Sequence, residues 1–109
     1  MDVNSRIEEQ LKGHEVLLYM KGTPDFPQCG FSGQTVAALK AVGKPFAFVN
    51  ILEDQEIREG LKAYSNWPTF PQLYVNGELV GGCDIVVEMY HSGELQTMLG
   101  SEAGDQADA

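Results

Sequence analysis

Asn76-Gly77 is the strongest hairpin signal in the chain and limits the fold more than any other feature. Both residues tolerate the positive φ of a two-residue turn between antiparallel strands. They lie between Leu73-Tyr74-Val75 and Glu78-Leu79-Val80-Gly81, which are therefore expected to pair as a hairpin. Upstream, Val16-Leu17-Leu18-Tyr19-Met20 and Phe46-Ala47-Phe48-Val49-Asn50-Ile51 are short, nearly continuous apolar runs, each followed by a stretch of helical spacing. Two strands alternating with helices and then a hairpin predict a single α/β domain: a four-stranded mixed sheet flanked by helices on both faces.

The helices follow from period and punctuation. Val3, Ile7 and Leu11 define a helix over Val3 to Gly13, with Asn4 or Ser5 as its cap. Val36, Leu39, Ala37 and Ala41 mark another from Phe31 to Val42, which Gly43 ends. Asp54 caps a third, carrying Ile57, Leu61 and Tyr64. Asp84 begins the last long helix, with Ile85, Met89 and Tyr90. Gly93 interrupts it before a short piece from Glu94 to Leu99. Lys21 to Gln28, with two prolines and a glycine, is a loop. Trp67, Tyr64 and Phe46 are expected in the core. Ser101 to Ala109 is acidic and aperiodic, which leaves 1–100 as the folded domain and 101–109 as a disordered tail.

Composition narrows the class of function. The chain has 109 residues, 43% of them hydrophobic and 21% charged, enough for a soluble core without disulfide staples. Sixteen acidic residues against seven basic ones give a net charge of −9, the wrong sign for nonspecific binding to nucleic acid or an anionic membrane. No apolar run is long enough to span a bilayer, and no secretory signal opens the chain. Two cysteines, Cys29 and Cys83, suggest a reducing compartment: the cytoplasm or an organellar matrix.

Cys29 lies between a proline-rich loop and a helix start. Unpaired N–H groups there, with Lys21 nearby, favour a thiolate, which is both nucleophile and metal ligand. The alternative is a small buried hydrophobe. Cys29-Gly30-Phe31-Ser32 has the spacing of a redox C-x-x-C pair whose second cysteine is a serine, so no local disulfide can close. Gly81-Gly82-Cys83-Asp84 joins a strand to a helix, where glycine admits a ligand close to the backbone. Asp84 reads either as partner for an ammonium or as a simple cap. Arg58, among Glu53, Asp54, Glu56 and Glu59, reads by default as a solvated surface ion pair. His14 and His91 are isolated and read as structural or surface residues.

Four blocks together resemble monothiol glutaredoxins of the CGFS type: Lys21-Gly22-Thr23-Pro24, Cys29-Gly30-Phe31-Ser32, Trp67-Pro68-Thr69-Phe70-Pro71-Gln72 and Gly81-Gly82-Cys83-Asp84-Ile85. They occur in family order and spacing, over about Ile7 to Leu99, as in the single-domain form. The resemblance implies the thioredoxin fold and a cis peptide before Pro71. It also implies a glutathione groove: Lys21 and Arg58 for the glycine carboxylate, the Phe70 backbone for the cysteinyl unit, and Cys83 and Asp84 for the γ-glutamyl end, with Thr69, Pro71 and Gly82 also among its residues. The family binds a [2Fe–2S] cluster, which usually takes four thiolates. Two chains each giving Cys29, with two glutathione thiols, complete that set; a rival set uses Cys29 and Cys83 of both chains. The resemblance thus implies a cluster carrier, a homodimer when loaded, apo iron–sulfur client proteins and a possible BolA-like partner. The competing expectation is a glutathione-dependent oxidoreductase that removes glutathione from protein thiols through Cys29 alone. A third is an interaction module with inert cysteines.

Overall fold

The computed structural model describes residues 2–100; the expected tail, 101–109, lies outside the described residues. The elements in order are α1 (Val3–Gly13), β1 (Val16–Met20), α2 (Gly30–Val42), β2 (Ala47–Asn50), α3 (Gln55–Ser65), β3 (Gln72–Val75), β4 (Glu78–Gly81), α4 (Cys83–Ser92) and α5 (Glu94–Leu99). The sheet order is β2-β1-β3-β4. β1 pairs with β2 in parallel and with β3 antiparallel; β3 and β4 form the hairpin.

β1 has a strand on each side and helices above and below, which is why its five residues are all apolar and all buried. Alternation sends Val16, Leu18 and Met20 to one face, where they pack with residues of α2, α4 and α5. Leu17 and Tyr19 go to the other, against Ile7 and Leu11 of α1 and Ile57 and Leu61 of α3. Each such buried aliphatic side chain is worth about 1.5–3 kcal/mol.

The turn residues act as their chemistry dictates. Asn76 and Gly77 take φ of 51° and 81°, the positive pair that matches the twist of the hairpin. Gly43 and Gly93 end α2 and α4 in the left-handed region. Asp54 caps α3 by accepting from Ile57 N–H at 3.1 Å.

Some boundaries differ from expectation. The cap of α1 is Asp2, whose Oδ1 accepts from Ser5 N–H at 2.8 Å, and not Asn4 or Ser5, which lie inside the helix. α4 begins one residue before Asp84 with Gly82 as its cap, so the Asp84 side chain makes no capping bond. β2 is shorter than its apolar run: Phe46 precedes it, and Ile51 turns into the loop yet stays in the core. Tyr64 is 39% exposed, on the outer side of α3, and not part of the core.

Candidate functional site

The loop after β1 is tightly bonded to itself. Thr23 N–H donates to Phe26 O at 3.3 Å, Phe26 N–H to Thr23 O at 3.0 Å, and Gln28 N–H to Lys21 O at 2.8 Å. Gly22 N–H donates to Asn50 Oδ1 at 2.9 Å, tying the loop to the end of β2. Gly22 is required there. Its φ is +93°, and a Cβ would meet Phe26 O at 2.6 Å.

This loop delivers Cys29 to the cap position of α2, in extended backbone. Its Sγ accepts from Ser32 N–H at 3.3 Å, taking the role a serine or aspartate oxygen plays at other helix starts. The fully buried Ser32 hydroxyl lies 3.3 Å from Sγ and accepts from Lys21 N–H at 3.1 Å. Burial pushes the Cys29 thiol up. The Ser32 hydroxyl, the Ser32 N–H, the Lys21 charge and the Phe31 N–H together outweigh it, and the net shift is downward.

A groove opens beside this cysteine. Its second wall is Trp67 to Pro71, with a cis bond between Phe70 and Pro71. The buried Gln72 side chain fastens that wall, donating to Trp67 O at 2.9 Å and Thr69 O at 3.2 Å. The start of α4 supplies the third side. Gly82 is pressed against it: a Cβ would lie 3.2 Å from Pro71 O.

The cavity, about 410 Å³, is lined by Lys21, Arg58, Thr69, Phe70, Pro71, Gly82, Cys83 and Asp84, eight residues singled out from sequence. Cys29 is not in its wall; Lys21 and Phe31, both in the wall, connect it to the groove. Lys62, Trp67, Pro68 and Ile85 also line it. Sequence reading missed Lys62, although its spacing of four from Arg58 places both on one helix face. It also put Trp67 in the core, whereas the ring forms groove wall.

The groove gathers cations in an acidic chain. Among the described residues, Lys21 and Arg58, and Lys12 outside the groove, have no carboxylate within ion-pair distance, while Arg6, Lys40, Lys44 and Lys62 do. The expected Arg58 ion pair is absent because its acidic neighbours are engaged elsewhere. Asp54 and Glu56 hold Arg6, Glu59 holds Lys62 at 3.4 Å, and Glu53 accepts from Asn50. Arg58 Nε is buried in the groove wall without a hydrogen-bond partner.

Cys83 differs from Cys29. It is 7% exposed, and its thiol donates to Gln34 Oε1 at 3.5 Å across to α2. The two cysteines are not bonded to each other. His14 and His91 are exposed, and no group of three metal-ligating side chains forms among the described residues. No helix among these residues is long and apolar enough to cross a membrane.

The glutaredoxin family pattern matches residues 16–80. Glutaredoxin 4 of Escherichia coli strain K12 is 58% identical over 94 residues, covering 86% of this chain and 82% of that protein. The probable monothiol glutaredoxin 2 of Rickettsia typhi is 56% identical over 96 residues, covering 88% and 86%. Among solved structures, reduced apo GrxS14 of poplar superposes with a TM-score of 0.78 at 55% identity, covering 90% of each chain. With the thioredoxin fold, the cysteine at a helix start and the serine three residues on, these likenesses establish that the chain belongs to the glutaredoxin family, in its single-domain monothiol branch.

Proposed function

We propose that the chain holds glutathione in this groove and uses Cys29, with the glutathione thiol, to carry a [2Fe–2S] cluster between two subunits for delivery to apo-proteins in a reducing compartment. The observation that carries the reading is the pair Lys21 and Arg58. Among the described residues neither cation has a carboxylate partner, and both lie in a groove beside a cysteine whose surroundings favour the thiolate. A peptide carboxylate supplies what the two cations lack. Asp84, freed from capping and exposed at the start of α4, suits the ammonium at the other end of glutathione.

The donor chemistry fits one cluster ligand per chain. Cys29 is partly accessible and held as an acceptor by donors from Ser32. Cys83 is buried, and its thiol is turned to Gln34. A four-thiolate cluster therefore draws its other donors from outside the chain: glutathione and a second copy. The cluster is the cargo. What this chain contributes is a placed thiolate, a groove that orients the glutathione sulfur, and a buried serine in place of a resolving cysteine. Since two donors are small exchangeable molecules, the assembly is built to hand its cargo on. A BolA-like protein in place of one copy is consistent with the same donor count.

The lowered Cys29 thiol also favours a second reading, removal of glutathione from protein thiols by one cysteine. One experiment separates them: anaerobic reconstitution with iron, sulfide and glutathione, followed by visible absorption and size exclusion. The carrier reading expects a coloured dimer that requires Cys29 and glutathione and tolerates Cys83→Ser. A colourless monomer that reduces glutathionylated protein at a useful rate supports the oxidoreductase instead.

A further inference from the structure

Phe26 is the most exposed large apolar side chain among the described residues, at 74%, and Phe31, on the other side of Cys29, is 61% exposed. The loop that holds Phe26 is not slack. It is closed by the Thr23–Phe26 bonds, by the bridge between Gly22 and Pro27, and by the tie to Asn50. Pro27 packs on the first turn of α2, 3.6 Å from where a Gly33 Cβ would be, so the loop lies against the helix that Cys29 opens. A ring held rigidly in water contributes nothing to the isolated chain. A preorganised aromatic side chain does lower the ordering cost of an interface and serves as its anchor.

Charge selects the occupant. Each chain carries −9, so two copies repel wherever acidic surface meets acidic surface. The stretch from Gly22 to Gln34 contains a single carboxylate, Asp25, which has Lys40 at 3.7 Å. This near-neutral apolar surface is where two such chains meet at least electrostatic cost. The stretch also contains Cys29, which, on the carrier reading on which this inference rests, is an incomplete ligand set without a second chain.

We propose that Phe26, with Phe31 on the other side of Cys29, is the apolar anchor through which two copies close over their paired Cys29 residues. A phenylalanine buries about 150–250 Å². At these exposures, two rings from each copy bring on the order of 500 Å² to the contact, well below the roughly 1,200–2,000 Å² of a stable interface. The anchor therefore does not pair apo chains; it lengthens the life of a pair already bridged.

The test compares wild type, Phe26→Ser, Phe26→Leu and Tyr64→Ser, the last at an exposed ring away from the groove. Each is reconstituted with cluster and glutathione, and the dimer dissociation constant is measured by sedimentation on dilution. Thermal unfolding of the apo proteins checks that each variant folds. The expected result is a dissociation constant about tenfold higher for Phe26→Ser, near wild type for Phe26→Leu and Tyr64→Ser, with every apo protein monomeric. A wild-type coloured dimer matched in stability by Phe26→Ser overturns the anchor alone. The same match with slower delivery to an apo [2Fe–2S] ferredoxin also overturns it, because Phe26 then serves the client. A wild type that forms no coloured dimer overturns the carrier reading and the anchor with it.

Discussion

Ser32 Oγ lies 3.3 Å from Cys29 Sγ, fully buried, with its own acceptor side occupied by Lys21 N–H. With Cys29 protonated, its thiol donates to this oxygen. When the sulfur loses that proton, the hydroxyl turns to donate along the same line. The serine is thus a fixed donor to a sulfur anion, and not only the absence of a second cysteine. Ser32→Ala is expected to return the Cys29 thiol toward its ordinary value of 9.0. The pH dependence of iodoacetamide alkylation measures this: the midpoint moves up, and an unmoved midpoint rejects the assignment.

The same lowered thiol links stability to pH. Its pKa is depressed in the folded chain, so the folded state holds fewer protons than the unfolded one in the window below 9.0. The Cys29 contribution is fully present above that value and is lost as pH falls through the folded pKa. Urea unfolding of wild type and Cys29→Ser over a pH series is expected to show a stability difference that moves in favour of wild type as pH rises, then levels off. A difference that is flat across the series contradicts the donors assigned to the sulfur.

Arg58 and Lys62 share the groove but not its energetics. Among the described residues Arg58 has no carboxylate partner and its Nε has no hydrogen-bond partner, whereas Lys62 is paired with Glu59 at 3.4 Å. An anion entering the groove completes the first and must compete for the second. Arg58→Gln is expected to weaken glutathione binding about tenfold, or ~1.4 kcal/mol, and Lys62→Gln about twofold. Calorimetric titration of the apo protein with glutathione reads both, and equal losses refute the distinction.

Much of this was legible because the signals are local. Asn76-Gly77, Gly43 and Gly93 each specify a backbone conformation, and the apolar run of β1 reports burial on two faces. Motif blocks resembling a known family placed the groove residues. What escaped depends on partners distant in sequence. Arg58 looked like a surface ion pair because sequence cannot show that Arg6, 48 residues away from Asp54, would claim Asp54 and Glu56. Asp84 looked like a cap because the glycine before Cys83 is the weaker capping signal, yet the chain enters α4 one residue early. Trp67 was assigned to the core on hydrophobicity alone; the proline turn that follows it leaves the ring lining the cavity.

Gln72 is the residue most responsible for that turn holding its shape. Its amide donates to Trp67 O and Thr69 O, and its Oε1 accepts from Tyr74 OH at 3.1 Å, all from a fully buried side chain. Gln72→Leu nearly conserves volume but takes the partner from the Thr69 carbonyl and the Tyr74 hydroxyl, and leaves Trp67 O only the longer bond from Ser65 Oγ at 3.4 Å. Each buried unsatisfied group costs about 1–3 kcal/mol, and local relaxation recovers part of it, so a loss of about 2–4 kcal/mol is expected in urea unfolding. The groove wall should loosen with it and glutathione affinity fall, because Trp67 and Thr69 are held by this side chain and both line the cavity. Gln72→Glu sharpens the test: a carboxylate keeps the size and can still accept from Tyr74, but it offers no proton to the two carbonyls. If both variants lose stability while glutathione binds as before, Gln72 supports the sheet alone and the wall is held by its prolines.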